Sequence, residues 1–205
     1  SGAMGDLHQR NSRPLINLVY NRYLTAADST IHFPETQMDG PLFNEHPPEM
    51  GARGHEQQIM DRLKNDNIYI ALYANAYPAE KDPVNWKNSK LAIATFIKTI
   101  ISNDAPYDRY RRDSVLYPLP APAVRGRQLF FSSKLKCYQC HGGNDFSTPL
   151  KSNQQGQPDF YFNTGLYNID GKGGYPSYDR GLSALTGRKA DEGKYRVPVL
   201  RNLVF

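Results

Sequence analysis

Apolar residues recur at helical spacing in short stretches: Leu15, Val19, Tyr20 and Tyr23; Ile59 and Leu63; then Ile68, Leu72 and Tyr73 after a break near Asn65 and Asn67. The pattern predicts short helices. The clearest opens at Asp82-Pro83, a capping residue followed by proline at the first helical position, and carries Ile93, Phe96, Ile97, Ile100 and Ile101 on one face. It should end near Ser102 and Asn103, with Trp86 in its first turn serving core packing. From Asn103 to Pro122 the chain turns polar and proline-rich, which reads as an interdomain connection with a boundary near Asp113. Helical spacing resumes over 121–133 through Val124, Gln128, Leu129 and Phe131. Beyond His141 glycine, asparagine, aspartate and tyrosine dominate, as in the run from Gly171 to Pro176, and periodicity fades. Loops are expected there, with turn chemistry and packing as the work of these residues. No internal repeat is visible.

Composition narrows this picture. The 205 residues are 39% hydrophobic and 22% charged, so the chain should fold around a core rather than stay disordered. The longest apolar stretch, Leu91 to Ile101, is interrupted by Thr95, Lys98 and Thr99, well short of the roughly 18 to 20 residues of a membrane span. The formal charge of +5 is mild, and only Arg109, Arg111 and Arg112 cluster, so nucleic acid is not an expected partner. The first residues are small and polar, unlike a signal peptide, and leave the compartment to be argued from chemistry.

The two cysteines supply that chemistry. Cys137-Tyr138-Gln139-Cys140-His141 is the C-x-x-C-H pattern of covalent c-type haem attachment. Two thiols at this spacing can reach the two vinyl groups on one porphyrin edge, and the adjacent His141 then lies under the iron as its axial ligand. A structural zinc site would need a second Cys or His pair, and none occurs after His141. A redox dithiol or plain disulfide stays open, although it wants a strand before the motif where the chain reads as helix. Covalent haem attachment points to the periplasm or an equivalent space. The methionines (Met4, Met38, Met50, Met60) and the other histidines (His8, His32, His46, His55) all precede Cys137. The sixth position of the iron is therefore open, filled by tyrosine or water, or supplied from beyond Phe205, and the stop at Arg201 to Phe205 without a cap or turn signal favours continuation.

The stretch from Ser102 to Tyr110, then Arg125-Gly126 to Phe130-Phe131, the Cys137 motif with Gly142-Gly143, Asn163 to Asn168, and Tyr195 to Asn202 resemble, in order, the bacterial di-haem cytochrome c peroxidase and MauG superfamily. The resemblance looks closest to the MauG-like enzymes of the branch encoded with methanobactin operons, which act on aromatic residues of a partner protein. It implies a mainly α fold with two cytochrome c-like haem domains, loop-rich around the haems. Residues 1–113 would be a portion of the first, peroxide-reactive domain, its attachment motif upstream of Ser1. Residues 114–205 would be the second domain, with one covalent haem c (heme c) that relays electrons.

The same resemblance assigns Gln37, Pro41 and Glu49 to the first haem's distal pocket and Asn11 to an interdomain calcium (Ca2+) site. A carboxylate over an open iron can take a proton from one peroxide oxygen and return it to the other, a role suited to Glu49. Without the resemblance, Glu49 reads as a solvated loop residue and Asn11 as a turn residue. Two positions depart from the family pattern. Ala3 stands where members that need reductive activation carry a distal histidine, which implies an open first haem. Near Thr25-Ala26-Ala27 the family places a tryptophan between the haems, and alanine cannot serve as a redox stepping stone. Expected partners are hydrogen peroxide and either a protein substrate or a small cytochrome or copper protein. A non-catalytic mono-haem carrier is the alternative from another class, though it leaves the first 110 residues unexplained.

Overall fold

The computed structural model describes residues 2–8, 10–148, 160–165, 167, 171–172 and 174–203. The fold is mainly α with long loops, and the chain divides into two compact units, Ser1–Ser12 with Thr30–Thr99 and Arg13–Ser29 with Ile100–Phe205. Among the described residues no helix is long and apolar enough to cross a membrane.

Among the described residues the first unit holds five α-helices: α1 (Pro34–Gln37), α2 (Asp39–Phe43), α3 (Glu56–Lys64), α4 (Asn67–Ala76) and α5 (Trp86–Lys98). Proline starts α1, where its missing N–H costs nothing. The predicted break after α3 is real: Asp66 caps α4 by accepting from the Ile68 amide at 2.8 Å. Met38, Leu42, Ala52 and Ala94 form the core, with Phe43, Ile59 and Trp86 packed on it. Trp86 meets Phe43 edge to face at 5.0 Å, the packing role expected of it.

Helix α5 differs from its prediction in start and end. Its cap is Asn85, whose side chain accepts from the Asn88 amide at 2.9 Å, while the Asp82 carboxylate pairs with Lys64 at 2.7 Å. It ends at Lys98 rather than near Asn103. Its buried residues are Asn88, Ser89 and Ala94, spread around the helix, whereas Ile93 and Phe96 are 45% and 67% exposed. Polar ties accompany the burial of the first two. Tyr77 Oη donates to the Asn88 carbonyl at 2.9 Å, Asn88 Nδ2 donates to Glu80 at 2.8 Å and to the Pro83 carbonyl at 2.9 Å, and Tyr73 and Ser89 share a hydrogen bond of 2.6 Å. Ser89 and the Asn88 Nδ2 group are thereby paired, while Asn88 Oδ1 has no partner among the described residues.

In the second unit, the helix expected around Leu15 to Tyr23 is only a single 3-10 turn, Leu18–Tyr20. Asn17 breaks it with a left-handed backbone (φ 55). The buried group here is polar: the Asn17 amide accepts from the Ser102 N–H at 2.7 Å and donates to the Ser102 carbonyl at 2.8 Å and to Asp145 at 2.6 Å. The stretch read as a connection contains α6 (Pro106–Arg112) and groups with the second unit, its first turn closed by Asp108 accepting from the Ala105 amide. Helix α7 (Ala121–Phe130) matches its prediction and ends three residues sooner. Then come β1 (Tyr161–Asn163), α8 (Ser183–Thr186) and β2 (Lys194–Arg196), with β1 and β2 antiparallel in the register Tyr161 to Arg196. Three-residue strands are too short to show alternation, so the loop expectation missed this sheet. Leu166, Asn168, Gly173, Val204 and Phe205, which belong to segments singled out above, lie outside the described residues.

Candidate functional site

Helix α7 delivers the chain to the cysteine motif through a turn in which the Lys136 amide donates to the Ser132 carbonyl at 3.0 Å. Lys136 takes a left-handed backbone (φ 55), and Cys137–Gln139 form one 3-10 turn. The Cys137 carbonyl accepts from the Cys140 and His141 amides at 3.3 and 2.9 Å. Both cysteines are half-buried thiols one turn apart, with the imidazole next in line. His141 Nδ1 lies 2.8 Å from the Phe146 carbonyl oxygen. A carbonyl only accepts, so Nδ1 carries the proton and Nε2 keeps its lone pair for a metal.

Aromatic rings surround this turn. Phe146 meets Phe130 edge to face at 5.8 Å and Tyr107 at 5.6 Å, and Tyr138 stacks against Phe131 at 6.3 Å. Beside them Leu129, Phe131 and Leu135 are 49%, 42% and 51% exposed. Two thiols, one imidazole with a free Nε2 and an uncovered apolar rim form a donor set and a surface that fit a covalently held haem. A nearby cleft of about 560 Å³ is different in character, walled by Asn17, Ser102, Asp108, Asn144, Asp145 and Arg201. Its charged and amide lining does not suit an apolar macrocycle.

That cleft is built on a buried ion pair the sequence reading did not single out. Arg201 donates to both oxygens of Asp108 at 2.7 Å, and its Nε donates to the Asn144 carbonyl at 2.8 Å and stands 3.3 Å from Asp145. Hydrogen bonds from Arg201 hold the Asp108 carboxyl below its usual value, and Asp108 in turn raises Arg201. The partners are 93 residues apart, and no local pattern could have joined them.

The residues expected in the other pocket lie in the first unit. Gln37 ends α1 and Pro41 sits in α2, one turn on. The Pro41 carbonyl accepts from the Met50 amide at 2.9 Å, which brings the Glu49 turn beside α2. All three are half-buried. The Glu49 carbonyl accepts from the Ala3 amide, and His8 Nδ1 lies 3.7 Å from its carboxylate, a neighbour not anticipated and beyond hydrogen-bond length. Phe33 and Met50, flanking these positions in sequence, are 66% and 65% exposed. Asn11 is exposed, and among the described residues no group of three or more His, Cys, Asp or Glu gathers to hold a metal. Calcium takes six to eight oxygens, of which Asn11 offers one. In the second unit the Thr25-Ala26 segment is tied down by the Arg196 amide donating to the Ala26 carbonyl at 2.8 Å. Tyr23, Phe160 and Tyr161 cluster in the same unit at 5.2 and 5.6 Å, and burial pushes the Tyr161 phenol up to about 12.

Comparison with known proteins agrees with the haem reading. A family model described as di-haem cytochrome c peroxidase matches residues 1–115. Cytochrome c551 peroxidase of Pseudomonas aeruginosa is 28% identical over 196 residues, covering 96% of this chain and 51% of that protein. The methylamine utilization protein MauG of Methylorubrum extorquens is 35% identical over 83 residues, 40% of this chain and 23% of MauG. Among solved structures, a MauG-like protein associated with microbial copper homeostasis superposes with a TM-score of 0.88 at 34% identity, over 99% of this chain and 58% of that one. The chain spans about half the length of the curated relative it matches over almost its whole extent.

Proposed function

Because the chain belongs to the di-haem cytochrome c peroxidase family, we propose that it is part of a periplasmic oxidoreductase that consumes hydrogen peroxide. Cys137 and Cys140 hold one haem c by thioether bonds, and His141 Nε2 ligates its iron as the electron-relay site. The observation that carries this reading is the 2.8 Å approach of His141 Nδ1 to the Phe146 carbonyl, which orients the ring and assigns its tautomer. A second haem belongs with Gln37, Pro41 and Glu49. When bound there, haem supplies the iron at which peroxide is reduced. Glu49 moves a proton between the two peroxide oxygens so that the departing one leaves as water, Gln37 offers its amide to the bound oxygen atoms, and Pro41 lines the pocket without an N–H to compete. We assign no step to calcium at Asn11.

The electrons come from aromatic residues of a partner protein in the MauG-like reading, which the 34% identical structural neighbour favours. The second reading, electrons from a small cytochrome or copper protein, is favoured by the peroxidase relative that aligns with 96% of the chain. Oxidation of a tryptophan or tyrosine in a co-expressed partner selects the first; steady turnover with a small redox donor selects the second.

The haem assignment is tested on the full-length gene product. Mass spectrometry and haem staining should find two covalent haems, and the variant with Cys137→Ala and Cys140→Ala together should keep one. An unchanged haem count in that variant overturns the assignment.

A further inference from the structure

The carbonyl that receives the His141 proton belongs to an irregular segment, 144–146, outside any helix or strand. A carbonyl on a loose loop would hold an imidazole poorly, so its anchors matter. Phe146 itself takes a left-handed backbone (φ 53), which a bulky residue rarely adopts unless its surroundings impose it. Three contacts from Arg201 impose it here. Nε donates to the Asn144 carbonyl at 2.8 Å and lies 3.3 Å from the Asp145 carboxylate, and the guanidinium sits over the Phe146 ring at 6.0 Å. Asp108 locks that guanidinium with two hydrogen bonds of 2.7 Å, and the pair is only 7% and 12% exposed. Asn17 Nδ2 donates to the same Asp145 carboxylate oxygen at 2.6 Å, and the Leu200 amide reaches the Asp145 carbonyl at 3.3 Å.

We propose that Arg201, braced by Asp108, is a positioning residue for His141: it fixes the Phe146 carbonyl and so sets how strongly the imidazole donates electron density to the haem iron. The inference rests on the haem reading of His141 given above. A carbonyl held at hydrogen-bond distance from Nδ1–H makes the ring a stronger donor, which favours oxidised iron and lowers the reduction potential. Arg201 touches neither ligand nor haem atom, so its effect passes through the Phe146 backbone. Arginine suits the role because one planar fork can satisfy both Asp108 oxygens while Nε reaches the Asn144 carbonyl.

The test uses Arg201→Lys in the full-length holoprotein, which keeps the charge and removes the fork. The His141 haem should show a raised midpoint potential and altered low-temperature EPR g-values, while the other haem keeps both. Arg112→Lys, at the exposed pair with Asp104, should change neither haem. A fully loaded Arg201→Lys protein with the wild-type potential and g-values overturns the proposal. If that variant does not accumulate, Phe146→Leu removes the ring beneath the guanidinium; the same upward shift, smaller, supports the proposal, and an unmoved potential overturns it. Failure of the haem reading looks different, because the wild-type protein would then lack covalent haem at Cys137 and Cys140.

Discussion

In the first unit the candidate residues ride on helices or on a turn tied to one, and the ion pairs lie at the rim. Lys64–Asp82, Lys90–Asp39 and Lys98–Glu35 each keep at least one partner 39% or more exposed. In the second unit the candidate ligands sit in loop and single-turn structure, and the pair that braces them, Arg201–Asp108, is buried. The difference follows from where backbone hydrogen bonds go. A helix pairs part of its own backbone, and around the short α1 and α2 neighbouring backbone takes up more, as where the Pro41 carbonyl accepts from the Met50 amide, while Met38 and Leu42 are buried in the core. A loop has no such ladder, so side chains must supply its anchors. Exposed charge pairs contribute little to that task, whereas buried ones fix geometry at the risk of a large penalty when one partner is lost.

The sharpest way to break the comparison is to ask whether chemistry divides along the same line. Glu49 is 40% exposed and its carboxylate lies at 3.7 Å from His8, so Glu49→Gln should leave the first unit folded. Peroxide turnover in the full-length protein should fall about 10²- to 10⁴-fold, the usual worth of a positioned acid–base group. The potential of the His141 haem should not move. Turnover near the wild-type rate would remove Glu49 from the mechanism, and a shifted relay potential would show that the two units do not divide the work this way.

Stability should divide as well. Asp108→Ala leaves the Arg201 guanidinium buried without its bidentate partner, a loss of about 3–5 kcal/mol in general. Asp145 remains 3.3 Å from Nε and offsets part of it, so about 3 kcal/mol is expected, read from denaturant unfolding followed at the Soret band. The pH dependence has a definite sign. Because Arg201 holds the Asp108 carboxyl below its unfolded value of about 3.9, the stabilisation is complete above that value and is lost as pH falls through the lower folded one. Wild type should therefore lose stability steeply below about pH 4, and Asp108→Ala should show a shallower acid limb. Equal acid limbs would mean the pair contributes no pH-dependent stability.

How much of this was readable from the sequence depended on range. Cys137, Cys140 and His141 stand out because their chemistry is set by spacing within five residues, and the break near Asn65 and Asn67 because the helical period of apolar residues lapses there. The buried pair could not, since Asp108 and Arg201 meet across 93 residues and each alone reads as a surface charge. Two left-handed residues were not legible either. Asn17 breaks a helix whose apolar spacing looked sound, and nothing in the sequence around Phe146 signals its left-handed backbone. Burial of Asn88 and Ser89 on α5 was not legible because both are polar by composition; Asn88 Nδ2 is taken up by Glu80 and the Pro83 carbonyl and Ser89 by Tyr73, while Asn88 Oδ1 has no partner among the described residues. Gln37, Pro41 and Glu49 were assigned through resemblance alone, and what the fold adds is their common neighbourhood around α2.

The smallest effect expected tests where α5 starts. Sequence pattern put the start of α5 at Asp82-Pro83, but Asn85 is the residue whose side chain accepts from the Asn88 amide, with its own Nδ2 donating to the Asp82 carbonyl at 3.0 Å. Asn85→Ala strips the cap and should destabilise the first unit by about 1 kcal/mol. Asp82→Ala removes only a carboxylate paired with Lys64 at a site where both side chains are well exposed, so it should cost less than that. The order of the two variants is what matters, measured by denaturant unfolding of the same protein with equal slopes. If Asp82→Ala proves the more costly, the capping role belongs to Asp82, as the Asp82-Pro83 signal suggested, and not to Asn85.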